Sequence, residues 1–106
     1  MHKGHIVTGT LTGTGAAIDV QLGFVPQHVR IVNETKLSKL EWFNTMANAS
    51  GIKTVTAGTI SKITTGGVSP YAGAAGTAGA GFTIGTDANI NAASDVIHYF
   101  AFSADS

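Results

Sequence analysis

Cysteine is missing from this 106-residue chain, which excludes disulfides and thiolate metal sites and leaves no thiol nucleophile. Charge is scarce: charged residues make up 11% of the sequence, against roughly 25% in an average soluble domain. Six basic and six acidic residues cancel, so no basic field exists to draw nucleic acid or an anionic membrane. No apolar run approaches the roughly 18 residues that a membrane-spanning helix needs. Behind Met1-His2-Lys3-Gly4-His5 there is no long apolar stretch of the kind a signal peptide carries, so a soluble, cytosolically made product is expected. Proline is rare, at two residues. A weakly charged surface with no net charge favours association over life as a free monomer.

Glycine is plentiful, at 14 residues, and with Thr and Ala it fills the spaces between apolar positions. The length suits one domain, residues 1–106, with a modest hydrophobic core. Residues 5–14 set Thr at every second position, as a strand with one solvated face does. Ile18, Val20 and Leu22 then share one face of a second strand, which Gly23-Phe24-Val25-Pro26 breaks. His28-Val29-Arg30-Ile31-Val32-Asn33 is more apolar and reads as a central strand. Residues 39–43 read as a strand, with a short helix over 37–46 as the alternative. Residues 46–51 read as a loop. Residues 52–56 and 59–64 form two short strands around Ala57-Gly58, and Gly66-Gly67 makes the next turn. Gly81-Phe82-Thr83-Ile84 and the aromatic stretch Val96-Ile97-His98-Tyr99-Phe100-Ala101-Phe102 complete the set. The pattern predicts an all-β fold: a single antiparallel β-sandwich or small β-barrel of about seven to eight short strands.

Residues 69–81 are a low-complexity Gly/Ala-rich segment, read as a flexible loop. Two readings stand side by side: a solvent-exposed loop, or one whose small side chains let it pack closely against a neighbouring subunit.

Chemistry-bearing motifs are sparse. Gly13-Thr14-Gly15 lacks the third glycine and the following helix of a dinucleotide loop, and no Walker lysine follows a glycine-rich turn. Asp87, Asn89 and Asn91 alternate like the start of a calcium loop. Ala92 and His98, however, stand where the loop's glycine and bidentate glutamate belong. Asn and Asp as turn formers explain the stretch better. His2, His5, His28 and His98 have no carboxylate at ligand spacing, so no metal is expected; His98 is placed among the aromatics of the last strand. No Gly-x-Ser-x-Gly elbow exists, and Glu41 points away from Trp42 on an alternating strand. An enzyme is not expected, nor is a cofactor. Trp42, Phe43, Phe82, Tyr99, Phe100 and Phe102 are assigned mostly to the core, and Tyr71 is the best candidate for an exposed aromatic contact.

Gly23-Phe24-Val25-Pro26 followed by Val29-Arg30-Ile31-Val32-Asn33, then Leu40-Glu41-Trp42 and Met46, form one spaced set of residues. Thr83-Ile84-Gly85-Thr86-Asp87, Asn89, Asn91 and Tyr99-Phe100-Ala101-Phe102 complete it. Over most of residues 18–102 the chain thereby resembles small structural proteins of tailed bacteriophages. The resemblance implies a virion component on the capsid surface, made in the host cytoplasm. It would be a head decoration (cement) protein, a homotrimer that clamps neighbouring major capsid subunits. The alternative it leaves is a tail fibre or tip protein that contacts host glycans. A small ligand-binding domain around His28 or His98 is the third reading. The candidate contacts are the N-terminal arm, residues 1–5, with His2, Lys3 and His5, and the 69–81 segment, with Tyr71, Ala75 and Thr77.

Overall fold

Apolar and polar residues alternate with period two through most of the chain, and each alternating stretch is a strand. The computed structural model describes residues 5–73 and 79–103. Its strands are β1 (His5–Thr12), β2 (Ile18–Gln21), β3 (His28–Asn33), β4 (Ser38–Phe43), β5 (Ser50–Thr54), β6 (Ile60–Tyr71), β7 (Gly81–Ile84) and β8 (Val96–Ser103). Among the described residues there is no helix, so residues 38–43 are strand and the helical alternative over 37–46 falls. All pairings are antiparallel, in one sheet of order β1-β8-β3-β4-β5-β6-β7-β2 that curls into a half-barrel. The all-β expectation holds.

The inner face carries the core. Val29 and Ile31 of β3, Leu40 and Trp42 of β4, Val68 of β6, Phe82 and Ile84 of β7 and Ile97 and Ala101 of β8 are all buried. Ile90, from the β7–β8 connection, joins them. Each fully buried side chain of this size contributes roughly 1.5–3 kcal/mol over its exposed state. The indole Nε1 of Trp42 donates to the Ala47 carbonyl at 3.1 Å, so its one polar atom is satisfied. As its apolar pattern indicates, β3 is interior to the sheet, between β8 and β4.

Gly66-Gly67 is not a turn between strands. It lies inside β6, where the register with β5 jumps from Gly51↔Ile63 to Ser50↔Val68. The chain bends there from one part of the sheet to the other. Gly66 has φ 76°, and a Cβ on Gly67 would sit 2.1 Å from the Ser50 carbonyl oxygen. The expected 69–81 loop is also shorter than its composition implies. Ser69, Pro70 and Tyr71 are strand, opposite Thr83, Phe82 and Gly81. The 46–51 loop likewise gives up its last two residues to β5.

Polar side chains tie the connection between β7 and β8 across the end of the half-barrel. Asn91 is fully buried; its Oδ1 accepts from the Thr14 and Gly15 amides and its Nδ2 donates to the Ala16 and Gly85 carbonyls. Asp87 accepts from Lys53 Nζ at 2.9 Å and from the Asn89 amide at 2.9 Å. Asp87, Asn89 and Asn91 are thus engaged as turn and tie residues.

Candidate interaction face

Strand parity decides which side chains face out. Trp42 points into the core, so its neighbours Glu41 and Phe43 point away from it; Ala101 is buried, so Phe100 and Phe102 point away as well. The ladders then bring outward residues into rows across β1, β8, β3, β4 and β5. One row runs Ile6, Phe102, His28, Phe43. The next runs Thr8, Phe100, Arg30, Glu41, Ile52, and a third runs Thr10, His98, Val32, Lys39, Thr54. Ile6 is 63% exposed, Phe43 44% and Ile52 40%, and Val32 and Val96 are close behind.

Most charges of this face are paired among themselves; Lys39 enters no ion pair among the described residues. Glu41 Oε2 accepts from His28 Nε2 at 2.9 Å and from Arg30 at 3.1 Å. Those contacts, the Arg30 hydrogen bond foremost and the His28 bond next, hold the Glu41 carboxyl below its ordinary 4.5. His98 bridges Thr10 Oγ1, at 3.1 Å, and Glu34 Oε1, at 2.6 Å. The His28 ring lies flat on Phe43, centroids 4.5 Å apart, and meets the edge of Phe100 at 5.9 Å. Two open grooves mark the face. One, of about 310 Å³, lies over Thr8, Thr10, Arg30, His98 and Phe100. The other, of about 330 Å³, lies over Arg30, Lys39, Glu41, Ile52 and Thr54. Arg30 and Val32 line both, so the grooves form one continuous surface. Exposed apolar side chains thus lie beside polar and charged ones on this face.

Of the residues expected to make contacts, only His5 and Tyr71 are described. His2, Lys3, Ala75 and Thr77 lie outside the described residues. His5 opens β1, is exposed, and stacks its ring on Phe24 at 5.0 Å. Tyr71 closes β6 and is half-buried, because that stretch is strand and not free loop. Four strands separate the two in the sheet. His98 is engaged by Thr10 and Glu34, whereas His5 and His28 are the histidines whose rings stack, on Phe24 and Phe43. His28 and His98 share the outer face but face Phe102 and Val32, near opposite ends of the ladder, and form no joint site. Phe43 is exposed and Phe100 and Phe102 are half-buried on the outer face, none of them in the core. The alternation itself carried that signal: with Trp42 inside, Phe43 had to be outside.

Among the described residues no group of three or more His, Asp or Glu is placed to hold a metal ion. Comparisons with protein-family models, with curated proteins and with solved structures found no match.

Proposed function

We propose that this protein is a structural component of a tailed-bacteriophage particle, a decoration protein that docks its outer sheet face on neighbouring major capsid subunits. The outer face of β1, β8, β3, β4 and β5 carries the docking part of this reading. Ile6, Phe43, Ile52, Val32 and Val96 stand exposed there, around the His28–Glu41–Arg30 and His98–Glu34 ion pairs, with Lys39 as the one cation left for a partner's acid among the described residues of these rows. The resemblance of residues 18–102 to virion structural proteins supplies the setting. Mass action supplies the mechanism: a protein that binds the assembled shell and not its separated subunits stabilises the shell by its binding free energy. Near-zero net charge lets many copies crowd on one shell without mutual repulsion.

One observation favours the second reading, a tail module that grips host glycans. Phe43 of the flat His28–Phe43 stack is open to solvent beside Glu41 and Arg30, and sugars dock on aromatic surfaces flanked by polar groups. Quantitative mass spectrometry of purified particles separates the two. The decoration reading predicts about one copy of this chain for each major capsid subunit. A handful of copies per particle would move the protein to the tail, and absence from particles would overturn both readings.

A further inference from the structure

We infer that β1 is a self-association edge: two copies pair their β1 strands antiparallel about a two-fold axis at Gly9 and join their sheets into one. The argument begins with the two ends of the sheet, β1 and β2. The Gly13 amide donates to the Asp95 carbonyl at 2.8 Å, directly beyond the β1–β8 ladder. The hydrogen-bonded pairs of that ladder are therefore the odd-numbered ones, and His5, Val7, Gly9 and Leu11 aim their main chain at β8. Ile6, Thr8, Thr10 and Thr12 aim theirs outward, where among the described residues no strand pairs with them.

The two edges are treated differently. β2 has four residues, and the Leu22 amide donates to Ala80, so only Asp19 and Gln21 present main chain to the outside. Asp19 puts a charge on that edge, and the Gln21 side chain folds over to accept from the Gly79 amide. β1 has twice the length and carries no charged residue and no proline, and its eight pairs with β8 run without a bulge. Lysine, proline, bulges and shortness are the devices that keep edges from pairing, and β1 has none of them.

A second copy fits this edge. A two-fold axis at Gly9 sets Thr8 against Thr10 of the partner subunit and Ile6 against Thr12 of the partner subunit on the outer face. On the inner face it sets Val7 against Leu11 of the partner subunit. Every outward N–H then meets a carbonyl, giving about eight main-chain hydrogen bonds. Val7 and Leu11 are half-buried in one copy and gain cover in the pair. Gly9 suits the axis, because the Tyr99 ring already fills the space above it: a Cβ there would lie 2.5 Å from the Tyr99 hydroxyl. The formal net charge of zero adds no repulsion between copies. This two-fold contact departs from the homotrimer that the resemblance implies, and it does not rest on the shell reading.

The experiment is native mass spectrometry and light scattering on the full chain, with amide hydrogen exchange. The expected mass is twice the 10.8 kDa of one chain. The amides of Ile6, Thr8, Thr10 and Thr12, which β8 does not protect, are expected to exchange slowly. Thr8→Pro removes an outward N–H without touching the β8 ladder and is expected to give single chains with an unchanged far-ultraviolet spectrum. Thr8→Val is expected to remain paired. A single chain or a trimer at tens of micromolar would overturn the inference. So would fast exchange at the even-numbered amides, a result that stands whether or not Thr8→Pro folds.

Discussion

Asn91→Ala is the substitution whose cost the structure fixes most closely. The side chain is fully buried and makes four bonds to main chain. Three are short: Thr14 amide at 2.9 Å, Ala16 carbonyl at 2.7 Å and Gly85 carbonyl at 2.9 Å. Together they hold the turn between β1 and β2 against the segment that follows β7. Alanine leaves the Thr14 amide and the Gly85 carbonyl without a partner, and the Ala16 carbonyl with the Thr14 hydroxyl alone. Thr14 and Ala16 lie on exposed residues, where water replaces part of the loss, so each contributes about 1 kcal/mol; Gly85 is better shielded and contributes about 2 kcal/mol. The total, about 4 kcal/mol, is a large share of the roughly 5–15 kcal/mol that holds a small domain together. Urea unfolding followed by the fluorescence of Trp42 reads it directly, as a fall in the midpoint of about 2–3 M. Asn91→Asp keeps the acceptor toward Thr14 but sets a charged oxygen against two carbonyls, and is expected to lose at least as much at neutral pH. A loss below about 1 kcal/mol for Asn91→Ala would refute the claim that this side chain closes the end of the half-barrel.

Three further expectations follow from the same geometry. Lys53→Met strips the charged partner from Asp87, whose side chain is only 12% exposed, and is expected to cost about 3 kcal/mol in urea unfolding. Trp42→Ala empties the centre of the inner face and is expected to cost about 3–5 kcal/mol by the same assay, read by circular dichroism since the fluorophore is gone. Glu41 is held below 4.5 in the folded state, so its contribution is full above 4.5 and disappears as pH falls through the folded value. Wild type is therefore expected to exceed Glu41→Gln in stability at neutral pH. The gap should close in acid, in paired unfolding curves across pH.

Local patterning made most of the strands legible. The period of two in Ile18, Val20 and Leu22, and the apolar run of His28–Asn33, mark β2 and an interior β3 in the sequence itself. Gly66-Gly67 misled because a glycine pair serves a turn and a bulge equally well, and only the β5 register tells them apart. Ser69-Pro70-Tyr71 misled for a related reason. They read as one with the low-complexity Gly/Ala-rich residues that follow, but the Gly85 amide bonds to the Gly67 carbonyl, which makes Ser69 and Tyr71 the residues that bond to β7. Pro70 falls between them, where the ladder asks for no N–H. The outer face was half legible. Parity excluded Phe43, Phe100 and Phe102 from the core, but aromatic residues invite burial. Which strands lie side by side, and so which residues make a row, depends on the order β1-β8-β3-β4-β5, and pairing between distant segments leaves no local mark.

The account turns on the outer face as the surface that docks. Its most direct test is co-sedimentation of the purified protein with virus particles freed of it, comparing wild type with the double variant Phe43→Glu, Ile52→Glu. Both positions are open to solvent, so the fold is expected to survive. Two buried like charges at the centre of an apolar contact are expected to weaken binding by at least roughly tenfold. Binding as tight as wild type, by a variant with an unchanged far-ultraviolet spectrum, would contradict the assignment of this face.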